Sequence, residues 1–315
     1  MPKTRCIDFY ADYGQTTLLL SVALHSLQKH YDGAIHVVHG ANLPQWYQDI
    51  LRKHNRISVQ SSDQRYAGAA GKGGEHQAYN VRPMVQKTIP FDTRVMYDCD
   101  HVFVKPLNPE LFDYVEKYGI GSWGFTVAQL RWSGRNKAQY VAEAIKSLGL
   151  PCDVPLQPMA GSCVGTAKGS EALVDEWLKN LETFAQSKNG WLASKYVDQH
   201  SLSYTMQCHK IPIGDYKWSY SGQSAYQSDL KPIPEGAMAI HFGRGRYRKR
   251  EADHIFAQAL GEAVRADFLG LKTEFHRYAE SHSQIRGYGV RIAKEYKPHA
   301  ELFTELMRGI KAPGI

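Results

Sequence analysis

The sequence predicts an α/β fold, a mainly parallel sheet flanked by helices with a helical C-terminal segment. Three observations predict it. Short apolar runs alternate with helix-periodic segments through the first hundred residues. Successive strands there are separated by single helices, which imposes right-handed crossovers and parallel pairing. From residue 251 onward the pattern is helical and amphipathic, broken at Gly270 and at 287–289. The 315 residues, 43% of them hydrophobic, suffice for one large domain or two small ones. The expected division is a catalytic domain over 1–250 and a helical appendage over 251–315.

The elements follow in order. Residues 6–10 form an apolar strand that opens on the turn residues Asp12, Tyr13 and Gly14. Residues 16–30 carry Leu20, Ala23, Leu24 and Leu27 at helical spacing. Residues 34–39 are a second strand ended by Gly40, 44–54 a helix, and 57–60 a third strand. The stretch AGAAGKGG at 67–74 breaks the alternation, because its side chains are too small to pack. Lys72 is followed by glycine rather than Ser or Thr, so the stretch is no P-loop; a lid over a ligand is its functional reading. Residues 79–88 are helical with Pro83 in the first turn. Residues 93–104 (TRVMYDCDHVFV) are two apolar stretches flanking Asp98, Cys99 and Asp100. Strands are expected at 119–127, 159–167 and 237–242. Helices are expected at 170–186, with Ser170 as cap, and at 198–208.

Composition narrows the function classes. No apolar run approaches the roughly 18 residues of a membrane span. Residues 1–5 are not followed by the apolar core of a secretory signal. Five cysteines without a CxxC pair point to reduced thiols rather than a zinc site, and a cytoplasmic protein is expected. Net charge is +7, of which +5 falls in residues 241–315, densest over 244–250. Such a cluster either binds phosphate groups or is a solvated basic face.

The sharpest chemistry lies at Asp98 and Asp100. In a regular strand, carboxylates at i and i+2 share one face with Cys99 opposite, and they repel. A divalent cation removes the repulsion, and oxygen ligands suit Mg²⁺ or Mn²⁺. Such an ion keeps open positions that phosphate oxygens fill, so the pattern points to a metal-diphosphate. The alternative, two solvated Asp in a surface turn, fits poorly with the apolar flanks.

The segment 93–112 resembles the metal-binding segment of GT-A-fold glycosyltransferases, in particular family 8 and its relatives. Further matches fall in the same order. Ala11-Asp12-Tyr13 and the following helix resemble the nucleotide-base pocket. MAGSCVG at 159–165 resembles the strand lining the sugar site, without the usual Asn before Ser-Gly. Val197-Asp198-Gln199 resembles the pair near the reacting carbon. Residues 239–243 (AIHFG) resemble the segment whose histidine, here His241, completes the metal site. The family's closing Gly-x-x-Lys-Pro-Trp is absent. Residues 243–248 (GRGRYR) stand there, leaving Arg246 and Arg248 for the diphosphate.

The resemblance implies a GT-A-like fold and a metal-dependent, retaining transfer of sugar from a nucleotide diphosphate sugar, a UDP-sugar by family, to an acceptor hydroxyl. It implies Mn²⁺ or Mg²⁺ as cofactor, Asp198 and Gln199 at the sugar, and Asp12 and Tyr13 at the nucleotide. Each has a plainer reading: Asp198 as a helix cap, Asp12 as a turn residue, His241 as a strand-end histidine. Arg82 and Lys87 either reach the donor or lie on a solvated helix face. Trp123, Trp132 and Tyr140 either stack on an acceptor or belong to the core. The acceptor is a glycan, a lipid-linked sugar, or a hydroxymethylated base in DNA, as in phage-type transferases. The rival classes are a non-catalytic basic polyanion binder and a nucleotidyltransferase. The latter calls for a Gly-rich phosphate loop, of which 12–15 is a poor version.

Overall fold

A computed structural model describes residues 3–14, 16–63, 80–123, 131–132, 135–136, 143, 145–151, 162–187, 197–221, 233–242, 250–281 and 297–308. Four strands of the main sheet follow the expected alternation, and a fifth strand comes directly after them: β1 (Arg5–Ala11), α1 (Thr16–Gln28), β2 (Ala34–His39), α2 (Gln45–Lys53), β3 (Ile57–Ser61), α3 (Arg82–Thr88), β4 (Thr93–Tyr97) and then β5 (His101–Phe103). Then come α4 (Glu110–Tyr118), β6 (Ile120–Gly121), the short hairpin β7 (Arg131–Trp132) and β8 (Arg135–Asn136), and β9 (Cys163–Ala167). The chain continues through α5 (Glu171–Ala185), α6 (Val197–Cys208), β10 (Tyr220–Ser221) and β11 (Ala239–His241). It ends in α7 (Arg250–Arg265), α8 (Phe275–Ser281) and α9 (Lys297–Arg308).

The main sheet has six strands in the order β3-β2-β1-β4-β9-β6. β1 pairs in parallel with both β2 and β4, β2 with β3, and β9 runs antiparallel to β4 and β6. The order reverses at β1: β2 and β3 lie to one side, β4 to the other. In an open α/β sheet a crevice opens at such a reversal, outside the carboxyl ends of the strands. A second sheet, β10-β11-β5, adjoins it.

Burial explains the elements. β1 (RCIDFYA) and β4 (TRVMY) are covered on both faces and therefore lack polar alternation. α1 is buried on nearly every side, through Leu18, Leu20, Val22, Ala23, Leu24 and Leu27, because it lies between the sheet and the C-terminal helices. The same core cluster holds Phe256, Leu260 and Val264 of α7, Tyr278 of α8 and Phe303 of α9.

Three expectations need correction. The regular-strand geometry considered for Asp98 and Asp100 is replaced by a turn between two separate strands. β4 belongs to the main sheet and β5 to the second, and 98–100 form the turn between them. That turn is fixed by Asp98 N–H donating to Ser162 O (2.9 Å) and Phe242 N–H donating to Asp100 O (2.9 Å). Among its described residues, the strand expected at 119–127 pairs only over β6. Beyond it Ser122 Oγ donates to Cys163 O and Gly214 N–H donates to Ser122 O, so loops replace the ladder. Positions 124–127 lie outside the described residues, as do 67–74 and 159–161. Ser170 stands at the N-cap position of α5, but its hydroxyl donates to Ala167 O and caps nothing.

Asp8, at 0% exposure on β1, accepts from Gln86 Nε2 (2.8 Å), and Gln86 Oε1 accepts from Thr166 Oγ1 (2.7 Å). Its other oxygen has no hydrogen-bond partner. Burial pushes its carboxyl up to about 8. Because the folded value is raised, this group's contribution to stability is full below the unfolded value of about 3.9 and is lost as pH rises through about 8. Asp8→Asn should therefore raise stability on the order of 1–3 kcal/mol at pH 8 and less at pH 5. Thermal melts at the two pH values check this, and a uniform loss at both would refute it.

Candidate active site at the carboxyl ends of β1 and β4

The loops that follow β1 and β4 meet at the reversal of strand order. Asp12 comes directly after β1 and Asp98 directly after β4. Cys99 Sγ donates to Tyr10 O (3.3 Å), which ties the 98–100 turn to the end of β1.

Asp98, Asp100 and His241 form one cluster, with one ligand atom from each lying within 4.8 Å of the others. His241 Nε2 is 3.1 Å from Asp100 Oδ1 and 3.9 Å from Asp98 Oδ2. His241 is delivered by β11, whose antiparallel pairing with β5 sets it opposite His101. The turn therefore does what a regular strand was expected to do: both carboxylates face one point.

Arg82, at the start of α3, joins this cluster to a third carboxylate. Its guanidinium donates to Asp98 Oδ1 and to Asp198 Oδ2 (3.0 Å). Arg82 is 4% exposed and Asp198 2%, so the solvated-face reading of Arg82 is wrong. Lys87 does lie on the surface of the same helix, paired with Asp175. Asp198 sits in the first turn of α6, held by Trp177 Nε1 donating to its carbonyl (3.1 Å), while its Oδ1 has no hydrogen-bond partner. Gln199 follows it and is half-buried.

The electrostatics follow from this packing. Burial, with Asp100 and Asp198 nearby, pushes the Asp98 carboxyl up to about 6 despite the Arg82 guanidinium. The opposite outcome holds at Asp100, where contact with His241 overrides burial and brings the carboxyl down to about 2. His241 is raised, because attraction to Asp100 and Asp98 outweighs the burial that lowers it. His101, buried behind His241, is pushed down to about 3 by burial and by the charge of His241. With His241 neutral, three carboxylates and one guanidinium leave a formal charge of −2. A divalent cation on Asp98, Asp100 and His241 would cancel it, so the donor set fits Mg²⁺ or Mn²⁺.

Around Asp12 the partners are different. Both its oxygens face Asn42, which donates from its backbone N–H (3.1 Å) and from Nδ2 (3.3 Å). Gly40 permits this approach, since a Cβ there would stand 1.8 Å from Asp12 Oδ1. The half-buried Tyr13 accepts at its carbonyl from Thr16 N–H and Oγ1 at the start of α1. Arg246, Arg248 and Tyr140 lie outside the described residues, and so does the side chain of Trp132. Trp123 is fully buried among Tyr97, Tyr114 and Trp218, so it belongs to the core. His101 and Ser219, which back the cluster, were missed in the sequence; only the register of β5 with β11 reveals them.

No family model matches this sequence, and no curated protein matches it. Solved structures do. The bifunctional glycosyltransferase WbbM aligns with a TM-score of 0.61 at 11% identity, over 90% of this chain and 52% of its own, so the chain spans about half of that protein. Mouse xyloside xylosyltransferase 1 aligns with a TM-score of 0.51 at 13% identity, over 76% and 98%. The glycosyltransferase GlyE of Streptococcus pneumoniae TIGR4 aligns with a TM-score of 0.55 at 11% identity, over 84% and 63%. At such identities the likeness shows the fold: the chain is built on a mostly parallel, helix-flanked sheet of the kind these glycosyltransferases share.

Proposed function

We propose that this chain is a metal-dependent glycosyltransferase acting on a nucleotide diphosphate sugar, a UDP-sugar by family resemblance, with retention at the anomeric carbon. The observation that carries the reading is the Asp98–Asp100–His241 cluster at the sheet's reversal point, joined through Arg82 to Asp198. The catalytic part is assigned to 1–250 and the helical appendage to 251–315.

Asp98, Asp100 and His241 would hold the cation. When bound, the ion supplies a Lewis acid that takes up charge on the departing diphosphate. Asp98 is aimed by Arg82, whose charge also opposes the burial that pushes the Asp198 carboxyl up. The Asp198 carboxylate is assigned to a sugar hydroxyl or to positive charge developing at the anomeric carbon. Gln199, one residue on, is assigned to the same sugar. Asp12 and Tyr13, at the end of β1, are assigned to the nucleotide, and Arg246 and Arg248 to the diphosphate. The rival polyanion binder gives this buried cluster no task. A glycan or DNA acceptor is told apart by salt-dependent DNA binding.

The test is release of nucleotide from a panel of nucleotide sugars with Mn²⁺ and no acceptor. Slow hydrolysis of one donor, lost with EDTA and in the Asp98→Ala/Asp100→Ala double variant, is expected. No release from any donor, with no metal-dependent UDP binding, would overturn the reading.

Metal affinity should also depend on pH. Asp98 is held up to about 6 and His241 above its ordinary value, so both carry protons at low pH that a cation must displace. Affinity for Mn²⁺ should rise between about pH 5 and pH 7.5, by up to about tenfold per unit for each proton displaced. Titrations at pH 5.5, 6.5 and 7.5 check it, and a flat profile contradicts it.

A further inference from the structure

We propose that His101 is a positioning residue that sets the Asp98–Asp100 turn and the His241 ring in the geometry a divalent cation needs. The inference rests on the metal site proposed above. His101 is 1% exposed and touches no open surface, yet it is polar at both ring nitrogens and both are engaged. Nδ1 donates to Asp98 O (2.8 Å), closing the turn on itself across three residues. That bond fixes the tautomer, so Nε2 accepts, and its partner is the Ser219 hydroxyl (2.9 Å) just before β10. Cys163 Sγ of β9 lies 3.5 Å from the same nitrogen.

The ring faces carry the second half of the argument. β5 and β11 pair with His101 directly opposite His241, so the two side chains share one face of the small sheet. The rings stack with centroids 4.8 Å apart and planes 20° from parallel. On another side the Tyr97 ring meets His101 edge-on at 5.1 Å. One side chain thus fixes the backbone carrying Asp98 and the ring offering His241 Nε2, and it is itself fixed from both sheets. An apolar residue would fill the space but close neither the turn nor the tautomer. Groups that orient metal ligands in this way typically govern affinity by about 10–100-fold.

The test uses the full chain with Mn²⁺ itself, read by the loss of the free-ion electron paramagnetic resonance signal, beside thermal melts without metal. His101→Phe keeps an aromatic ring against His241 and loses both hydrogen bonds. His101→Asn keeps a donor near Asp98 O and loses the stack. Ser219→Ala removes only the partner of Nε2. Affinity for Mn²⁺ is expected to fall about 10–100-fold in the His101 variants and several-fold in Ser219→Ala. A purely structural role would lower the melting temperature and leave affinity alone. Affinity within twofold of the parent in every variant that folds would overturn the proposal. A parent chain that binds no Mn²⁺ would instead overturn the metal site on which it rests.

Discussion

Arg82→Met is expected to cost about 3–5 kcal/mol of folding stability, the range for removing one partner from a buried ion pair. Arg82 is the cation that lies between Asp98 and Asp198, and it is almost wholly enclosed. Without it, Asp198 keeps a buried carboxylate with a guanidinium gone from one oxygen and no partner on the other. Desolvation would then push Asp198 further up than it already stands. Chemical denaturation at pH 7 measures the loss. Adding Asp198→Asn should recover part of it, since the amide needs no counter-charge, and Mn²⁺ should recover more by neutralising Asp98. A loss under 1 kcal/mol would mean that Arg82 is not the counter-ion the geometry makes it.

Asp100→Asn should leave the fold in place and lower donor turnover by about 10²–10³-fold, the scale for removing one preorganised group that stabilises developing charge. The amide fills the same volume in the 98–100 turn, whose backbone bonds to Ser162 and Phe242 do not involve the side chain. What is lost is a charged ligand oxygen 3.1 Å from His241 Nε2. His241, no longer held up mainly by Asp100, should fall toward its ordinary value. On the proposed function, saturating Mn²⁺ should restore only part of the rate, because the ion would have one charged ligand fewer. Full activity in a folded Asp100→Asn chain would remove Asp100 from the site.

Much of this architecture was legible in the sequence because the physics behind it is local. Short apolar runs marked β1, β2 and β4 as strands. Pro83 fell in the first turn of α3, and Asp98 and Asp100 stood out because paired carboxylates between apolar stretches call for compensation. Less was legible where pairing partners decide. The run at 119–127 has strand-like residues, but among those described only Ile120 and Gly121 find a ladder on β9. The two apolar stretches of 93–104 concealed a change of sheet, since β4 and β5 are equally buried and nothing in their residue types says which neighbours they take.

The sequence alone determined the order of elements, the burial of the central strands and the presence of the Asp-x-Asp pair, because each depends on residue type and short spacing. Tertiary structure decided the rest. It set β1 at the reversal of the sheet, turned 98–100 toward β11, and buried Arg82 between carboxylates 100 positions apart in sequence. It also laid His101 against His241. Such contacts depend on strand order and register, which arise from how separate elements bury one another.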